Sequence, residues 1–467
     1  MKKRILTLFL MIGILSATGC SSENSNVSLK ENTSTGNTPN GNTTENADSM
    51  NLSIIDNGNL RCSGEQGYYY VANDGFMRED GVYSRNVMYM DYATRQELYL
   101  CNRPGCEHMS EECPSVFSDN EVTAGSSLFY WNDSLYLFSH MPDYDGTSII
   151  QNSFSGGLAQ EGAVSLNGRS AVLYRMNPDG TERQKVFEFG NEETVEETVF
   201  ASGNSLFFIT KSLSSEAVNN LTTLISTANR KLIEINTDNW EASVVASLET
   251  DWKLIGSTQN MLVFSKINFA QELSKEDYLD DSKYMEAYQN SKTNVIILDL
   301  KNNTTEEVIT LPNDKLHSFA VADGMLYIGN EGSGQIDMIN LDSKEQSVFK
   351  ETSANEIEHI YDDVLLCSEW DNPDATEINT TVHFFQLIDG TEQVSNLTTS
   401  VMGTRIEIRA ESETQFLVVY DYDAVLDTQY DNGQYTINGL KYALIDKADL
   451  YNGTADYDVI KMIGFGE

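Results

Sequence analysis

The sequence predicts an all-β fold, a β-propeller most simply built of seven four-stranded blades, with six or eight as the neighbouring counts. Three observations predict it. One unit of paired hairpins recurs from about residue 53 onward. Within each unit, runs of β-branched and aromatic residues are bounded by Asn, Asp, Gly and Pro turns, which is the hairpin signal. Nothing linker-like divides 53–467, which disfavours the runner-up architecture, two β-sandwich domains in tandem.

The second unit is the clearest. Leu128-Phe129-Tyr130-Trp131 precedes the turn Asn132-Asp133 and the run Leu135-Tyr136-Leu137-Phe138. After an insert come Val172 to Met176, the turn Asn177-Pro178-Asp179-Gly180, and Lys185 to Phe189. The first unit holds Tyr68-Tyr69-Tyr70-Val71 and Val87-Met88-Tyr89-Met90. Later units repeat the pattern at Leu206 to Ile209, Leu262 to Phe264, Met325 to Ile328, Val364 to Leu366 and Phe416 to Val419, each with a second apolar run following. Successive units start roughly 40 to 70 residues apart, the spacing of propeller blades with insertions. Radial repetition leaves few open sheet edges, so such a ring is stable without a partner.

Residues 1–19 read as an export signal. Lys2, Lys3 and Arg4 form a positive start, and Ile5 to Leu15 form an apolar stretch too short to span a bilayer. Ala17-Thr18-Gly19-Cys20 follows. Small residues before a cysteine resemble the bacterial lipobox, which implies lipidation of Cys20, anchoring to the cell membrane and an extracytoplasmic location. Ala17 departs from the Leu commonest at that position, and an ordinary signal peptide cut near Ala17 is the alternative. Residues 20–52 are dominated by Ser, Asn, Thr, Gly and Glu, too polar to offset the entropy of ordering, and read as a tether. Residues 53–467 form the propeller domain.

The formal net charge is -41, a field that repels nucleic acid and anionic headgroups and so excludes nucleic acid as a partner. Acidic residues are scattered rather than gathered in a tail, which fits a solvated surface.

The stretch Leu173-Tyr174-Arg175-Met176-Asn177-Pro178-Asp179-Gly180-Thr181-Glu182-Arg183 resembles a blade of the YWTD propellers of the LDL-receptor class. The chain as a whole, including Leu100-Cys101-Asn102-Arg103-Pro104-Gly105-Cys106-Glu107-His108, resembles lipid-anchored propeller proteins of unknown function from anaerobic Gram-positive bacteria. The resemblance implies a fold and a surface location. It carries no activity.

Inserts fall between the second and third strands of the units, at about 139–170, 211–230, 268–293, 369–380 and 421–439, and in a propeller these connections share one face. That face is the expected binding surface, with Tyr144, Tyr284, Tyr288, Asp421 and Asp423 as candidate ligand-contacting residues. Ser274 and Asp277 read as a capping box opening a helix that carries Tyr278, Tyr284, Met285 and Tyr288. Its aromatic face either packs on the propeller or contacts a sugar or protein. Asp143 and Asp145, and the group Asp421, Asp423, Asp427 and Asp431, offer oxygens for Ca²⁺, although neither has EF-hand spacing; solvated acidic turns are the competing reading.

Five cysteines remain beside Cys20: Cys62, Cys101, Cys106, Cys113 and Cys367. Cys101, Cys106, His108 and Cys113 lie in one short loop between the first two blades and supply a complete tetrahedral set for a structural Zn²⁺. Two disulfides drawn from Cys62, Cys101, Cys106 and Cys113 are the alternative, since an exported protein permits them. Either way the loop is stapled. Sialidase-type boxes, Gly-x-Ser-x-Gly, His-Glu-x-x-His and phosphate loops are missing, so the expectation is a protein without enzymatic activity. The leading function is capture of a glycan, peptide or partner protein on the loop-rich face. The alternatives are a scaffold for an envelope complex and a polysaccharide hydrolase or lyase using a carboxylate pair assembled by the fold.

Overall fold

The computed structural model describes residues 50–122, 125–139, 170–190, 193–219, 222–274, 277, 280–370, 379–426 and 435–467. Seven antiparallel sheets follow one another along the chain. Blade 1 comprises Arg61–Ser63, Gly67–Met77, Tyr83–Asp91 and Gln96–Tyr99; blade 2 Ser127–Trp131, Ser134–Ser139, Val172–Met176 and Gln184–Glu188. Blade 3 comprises Thr194–Ser202, Ser205–Asn219, Thr222–Asn236 and Glu241–Ser247; blade 4 Lys253–Thr258, Met261–Asn268, Lys292–Asp299 and Thr304–Pro312. Blade 5 comprises His317–Ala322, Met325–Asn330, Gln335–Asn340 and Gln346–Glu351; blade 6 Glu356–Tyr361, Val364–Ser368, Val382–Gln386 and Glu392–Ser395; blade 7 Glu407–Glu411, Gln415–Leu426, Tyr435–Asp446 and Asp458–Val459. The seven-bladed propeller is therefore the fold.

The first and second strands of most blades join through two-residue turns whose first residue has positive φ, as at Asn132 (44°), Asp323 (49°) and Asp362 (41°), and at Asp133 (54°) the second does too. Asn and Asp tolerate this left-handed geometry better than other side chains, and it matches the twist of the flanking strands. Second strands are buried on both faces, because a blade has a neighbour on each side. In blade 1, Tyr68 and Tyr70 face blade 7, while Tyr69 and Val71 face blade 2. That is why Tyr68-Tyr69-Tyr70-Val71 is continuously apolar rather than alternating.

The core is not one mass but seven clusters, each lying between two successive blades. The cluster between blades 7 and 1 closes the ring, with Tyr70, Met88 and Met90 packed on Leu417, Val419 and Tyr442. Segment 460–467 runs along this seam. Its backbone N–H groups at Ile463 and Gly464 donate to the buried carboxylate of Glu97, the latter at 2.9 Å.

Two placements differ from the sequence reading. Ser53–Asn57 is not a blade 1 strand; it pairs with the inner strand of blade 3 and touches the inner strands of blades 2 and 4, so it lies within the ring. The cysteine loop does not simply link two blades. It interrupts the outer strand of blade 1: Gln96–Tyr99 pairs with residues 88–91, and Val116–Ser118 then takes up the same edge at 84–86. Both pairings are non-local, so local pattern does not expose them.

Candidate functional site

Connections between second and third strands, and those between blades, emerge on one face, as antiparallel order within each blade requires. Among the described residues, three of these connections are long hairpins. In blade 3 the two central strands are 15 residues each, and from Ser212↔Ala228 to Asn219↔Thr222 they form a two-stranded ribbon beyond the flanking strands. Blade 7 projects a similar ribbon at Ala424↔Ile437 to Leu426↔Tyr435, and blade 1 one at Gly75↔Arg85 to Met77↔Tyr83. Met77, Tyr83, Val425, Leu426 and Tyr435 leave apolar surface open on the neighbouring ribbons of blades 1 and 7. Turns on the opposite face are mostly short, although the third-to-fourth connection of blade 7 carries a one-turn helix, Lys447–Tyr451.

The blade 4 insert contains the described helix Asp281–Gln289. The expected capping contact forms, with Asp277 N–H donating to Ser274 Oγ at 3.1 Å. The nine-residue helix nonetheless starts later, because the Asp280 carboxylate accepts from Ser282 and Lys283 N–H and caps it there. Tyr284 stacks on Tyr288 and meets Phe269 edge-on, leaving both tyrosines half-buried and Met285 exposed. A groove of about 380 Å³ beside this helix is lined by Gln271, Leu273, Lys283, Glu286 and Asn290.

Asp421 and Asp423 lie on the blade 7 hairpin but differ in environment. Asp421 is buried and accepts from Val401 N–H at 3.1 Å and Lys441 Nζ at 3.4 Å. Burial alone would raise its pKa, but the Tyr422 and Val401 N–H groups and the Lys441 ammonium hold it below the usual carboxylate range. Asp423 is exposed. Cys20, Tyr144, Asp143, Asp145, Tyr278, Asp427 and Asp431 lie outside the described residues.

The structure brings the four ligand atoms of Cys101, Cys106, His108 and Cys113 within 4.8 Å of one another. Among the described residues no other group of His, Cys, Asp or Glu converges in this way. Local geometry explains the convergence. Gly105 and His108 have positive φ (73° and 57°), which folds the loop back on itself. The His108 ring stacks on Tyr99 with centroids 4.1 Å apart, and Nδ1 lies 3.5 Å from Cys113 Sγ. Arg103 Nη1 donates to the Glu112 carbonyl at 2.6 Å, tying the loop's two arms together. The His108 N–H holds the Cys106 thiol below its usual pKa, while burial pushes Cys113 up to about 11. Cys62, on the inner strand of blade 1, and Cys367, in the core of blade 6, stand apart from this group, and all five described cysteines are unpaired. A Cys₃His set of this geometry can coordinate a metal ion.

One charged group escaped sequence reading. At the inner strands of blades 6 and 7, Arg405, just ahead of its strand, meets Glu358 through Nη1 at 2.6 Å, and Arg409 Nη2 meets Glu407 at 2.7 Å. Glu467 bridges Arg409 and Arg61 at 2.5 and 3.0 Å, and its carboxylate also accepts from Tyr68 OH at 2.8 Å. The available signal was the alternation Arg405-x-Glu407-x-Arg409 on a strand, with the intervening residues apolar. Histidines His317 and His383 are spent on hydrogen bonds to Asn330 and Glu392.

No family model matches the chain. No curated protein matches it either. Solved structures similar to it include a puromycin-hydrolysing peptidase of Mycobacterium tuberculosis, at 9% identity over 89% of this chain and 54% of that one, TM-score 0.44. An oligogalacturonate lyase in complex with manganese matches at 12% identity over 67% of this chain and 84% of that one, TM-score 0.34. An uncharacterized protein from Listeria monocytogenes EGD-e matches at 12% identity over 82% and 94%, TM-score 0.39. The chain spans about half the length of the peptidase.

Proposed function

We propose that this protein is a lipid-anchored, extracytoplasmic binding protein whose loop-rich propeller face captures a glycan, a peptide or a partner protein. The observation that carries the reading is the concentration of projecting ribbons, helical insert and exposed apolar side chains on a single face of a rigid ring. Long loops on such a scaffold are the usual recognition elements. Anchoring rests on Cys20 and the polar tether of the sequence. No described helix is long and apolar enough to cross a membrane. A structural Zn²⁺ held by Cys101, Cys106, His108 and Cys113 completes the reading by fixing the rim of blade 1.

The test is a binding screen of the purified full-length chain against polysaccharides, cell-wall fragments and envelope proteins. Shortening 269–291 and 424–437 to tight turns is expected to preserve the fold and abolish the interaction found. Unchanged binding after both trims would sink the reading. A second reading, a polysaccharide hydrolase or lyase, draws on the channel carboxylates Glu407 and Glu467 flanking Arg409. It predicts shortened chains in the same screen, lost on Glu407→Gln.

A further inference from the structure

A crevice of about 240 Å³ lies between blades 6 and 7 and uses none of the projecting ribbons. Its walls are of two kinds. Leu366, Val382, Phe384, Leu397, Ile406 and Leu450 make an apolar lining, and the pairs Glu358–Arg405 and Glu407–Arg409 make a charged rim. We propose that this crevice binds a small zwitterion with an apolar body, of the class of a free apolar α-amino acid.

Four features support the assignment. The lining carries two guanidiniums and two carboxylates, and Glu467 behind Arg409 is matched by Arg61, in a chain of net charge -41. A simple anion there meets Glu358 and Glu407, and a simple cation meets Arg405 and Arg409. A zwitterion places each end against its opposite and forfeits neither. Second, Arg405 meets Glu358 through Nη1, and a guanidinium has five N–H donors, so this residue can hold Glu358 and take a ligand carboxylate as well.

Third, Ser395 lines the crevice at 1% exposure, and its Oγ has no hydrogen-bond partner among the described residues. Buried hydroxyls are almost always satisfied, so this one points to a polar ligand atom. Fourth, the volume falls below the range of about 300–1,000 Å³ typical of drug-sized ligands, which limits the occupant to a compact molecule. His359 also lines the crevice beside Tyr361, their rings 4.4 Å apart.

The experiment is calorimetric titration of the purified full-length chain with L-leucine, L-phenylalanine, isocaproate and isoamylamine. The last two are leucine stripped of its ammonium and of its carboxylate. Saturable binding of an amino acid is expected, with both analogues weaker by at least about tenfold, because each leaves a charged group of the rim unmatched. Arg405→Gln should bring leucine and isoamylamine to similar affinity. The analogue comparison uses unaltered protein, so misfolding of the variant leaves the result interpretable. Absence of amino-acid binding, equal binding of the analogues, or preference for a sugar acid such as galacturonate overturns the assignment. Trimmed ribbons should leave this binding unchanged, which separates it from the fate of the loop-face reading.

Discussion

Asp56 shows how much one side chain inside the ring costs the fold. It lies on the strand Ser53–Asn57 at 8% exposure, with its carboxylate accepting Gly58 N–H at 2.8 Å. Burial outweighs the hydrogen bonds and pushes its pKa from 3.8 to about 6. Well below pH 3.8 the group is protonated in both folded and unfolded chains and costs nothing. As pH rises toward 6 the unfolded chain ionises first, so stability falls. Above that the whole difference persists, roughly 3 kcal/mol as an upper figure. Asp56→Asn keeps an acceptor for Gly58 and removes the charge. It should stabilise the protein by about 1–3 kcal/mol at pH 7.5 and by only about 0.5 kcal/mol at pH 4, read from urea unfolding at the two pH values. An equal gain at both would show that the cost is steric rather than ionic.

At the scale of the element, hairpins were legible and their partners were not. Turns such as Asn132-Asp133 and Asp323-Gly324 sit between apolar runs, and both the turn chemistry and the doubly buried second strand are local properties. The four donors of the cysteine loop were legible for the same reason. The split outer strand that carries the loop was not, because Gln96–Tyr99 and Val116–Ser118 share an edge only after folding. Most of residues 102–112 are exposed, so apolar burial does little to hold this loop. A metal supplies what the missing core does not. Elemental analysis should find one zinc per chain, and Cys106→Ser or a strong chelator should release it. The expected consequence is local: new protease cleavage within 101–113, with far-UV circular dichroism preserved, since the blade 1 ladder lies outside the loop. Disulfides among Cys101, Cys106 and Cys113 in non-reducing mass spectra would refute the metal.

For the whole molecule, the decisive question is what closes the ring. Apart from Ser53–Asn57, which joins blade 3, the sheets run in chain order, and among the described residues no strand is shared between the first blade and the last. Closure falls to the cluster of Tyr70, Met88, Leu417 and Tyr442, and to segment 460–467 beside it. This arrangement was invisible in the sequence for the same reason as the crevice between blades 6 and 7, where Glu358 and Arg405 meet from 47 residues apart. Removing 460–467 strips Glu97, 1% exposed, of two N–H donors and takes Glu467 from Arg61 and Arg409. Tyr70 O–H would remain a partner of Glu97, and breaking the other contacts of a buried charge costs about 3–5 kcal/mol. The truncated chain should therefore lose at least that much stability in urea, whereas cutting back the blade 3 ribbon at 212–228, which no flanking strand supports, should cost under about 1 kcal/mol. Restoring part of the loss with Glu97→Gln, which removes the stranded charge and keeps an acceptor for Tyr70, would identify that carboxylate as the latch. A truncation without effect would instead assign closure to the apolar cluster alone.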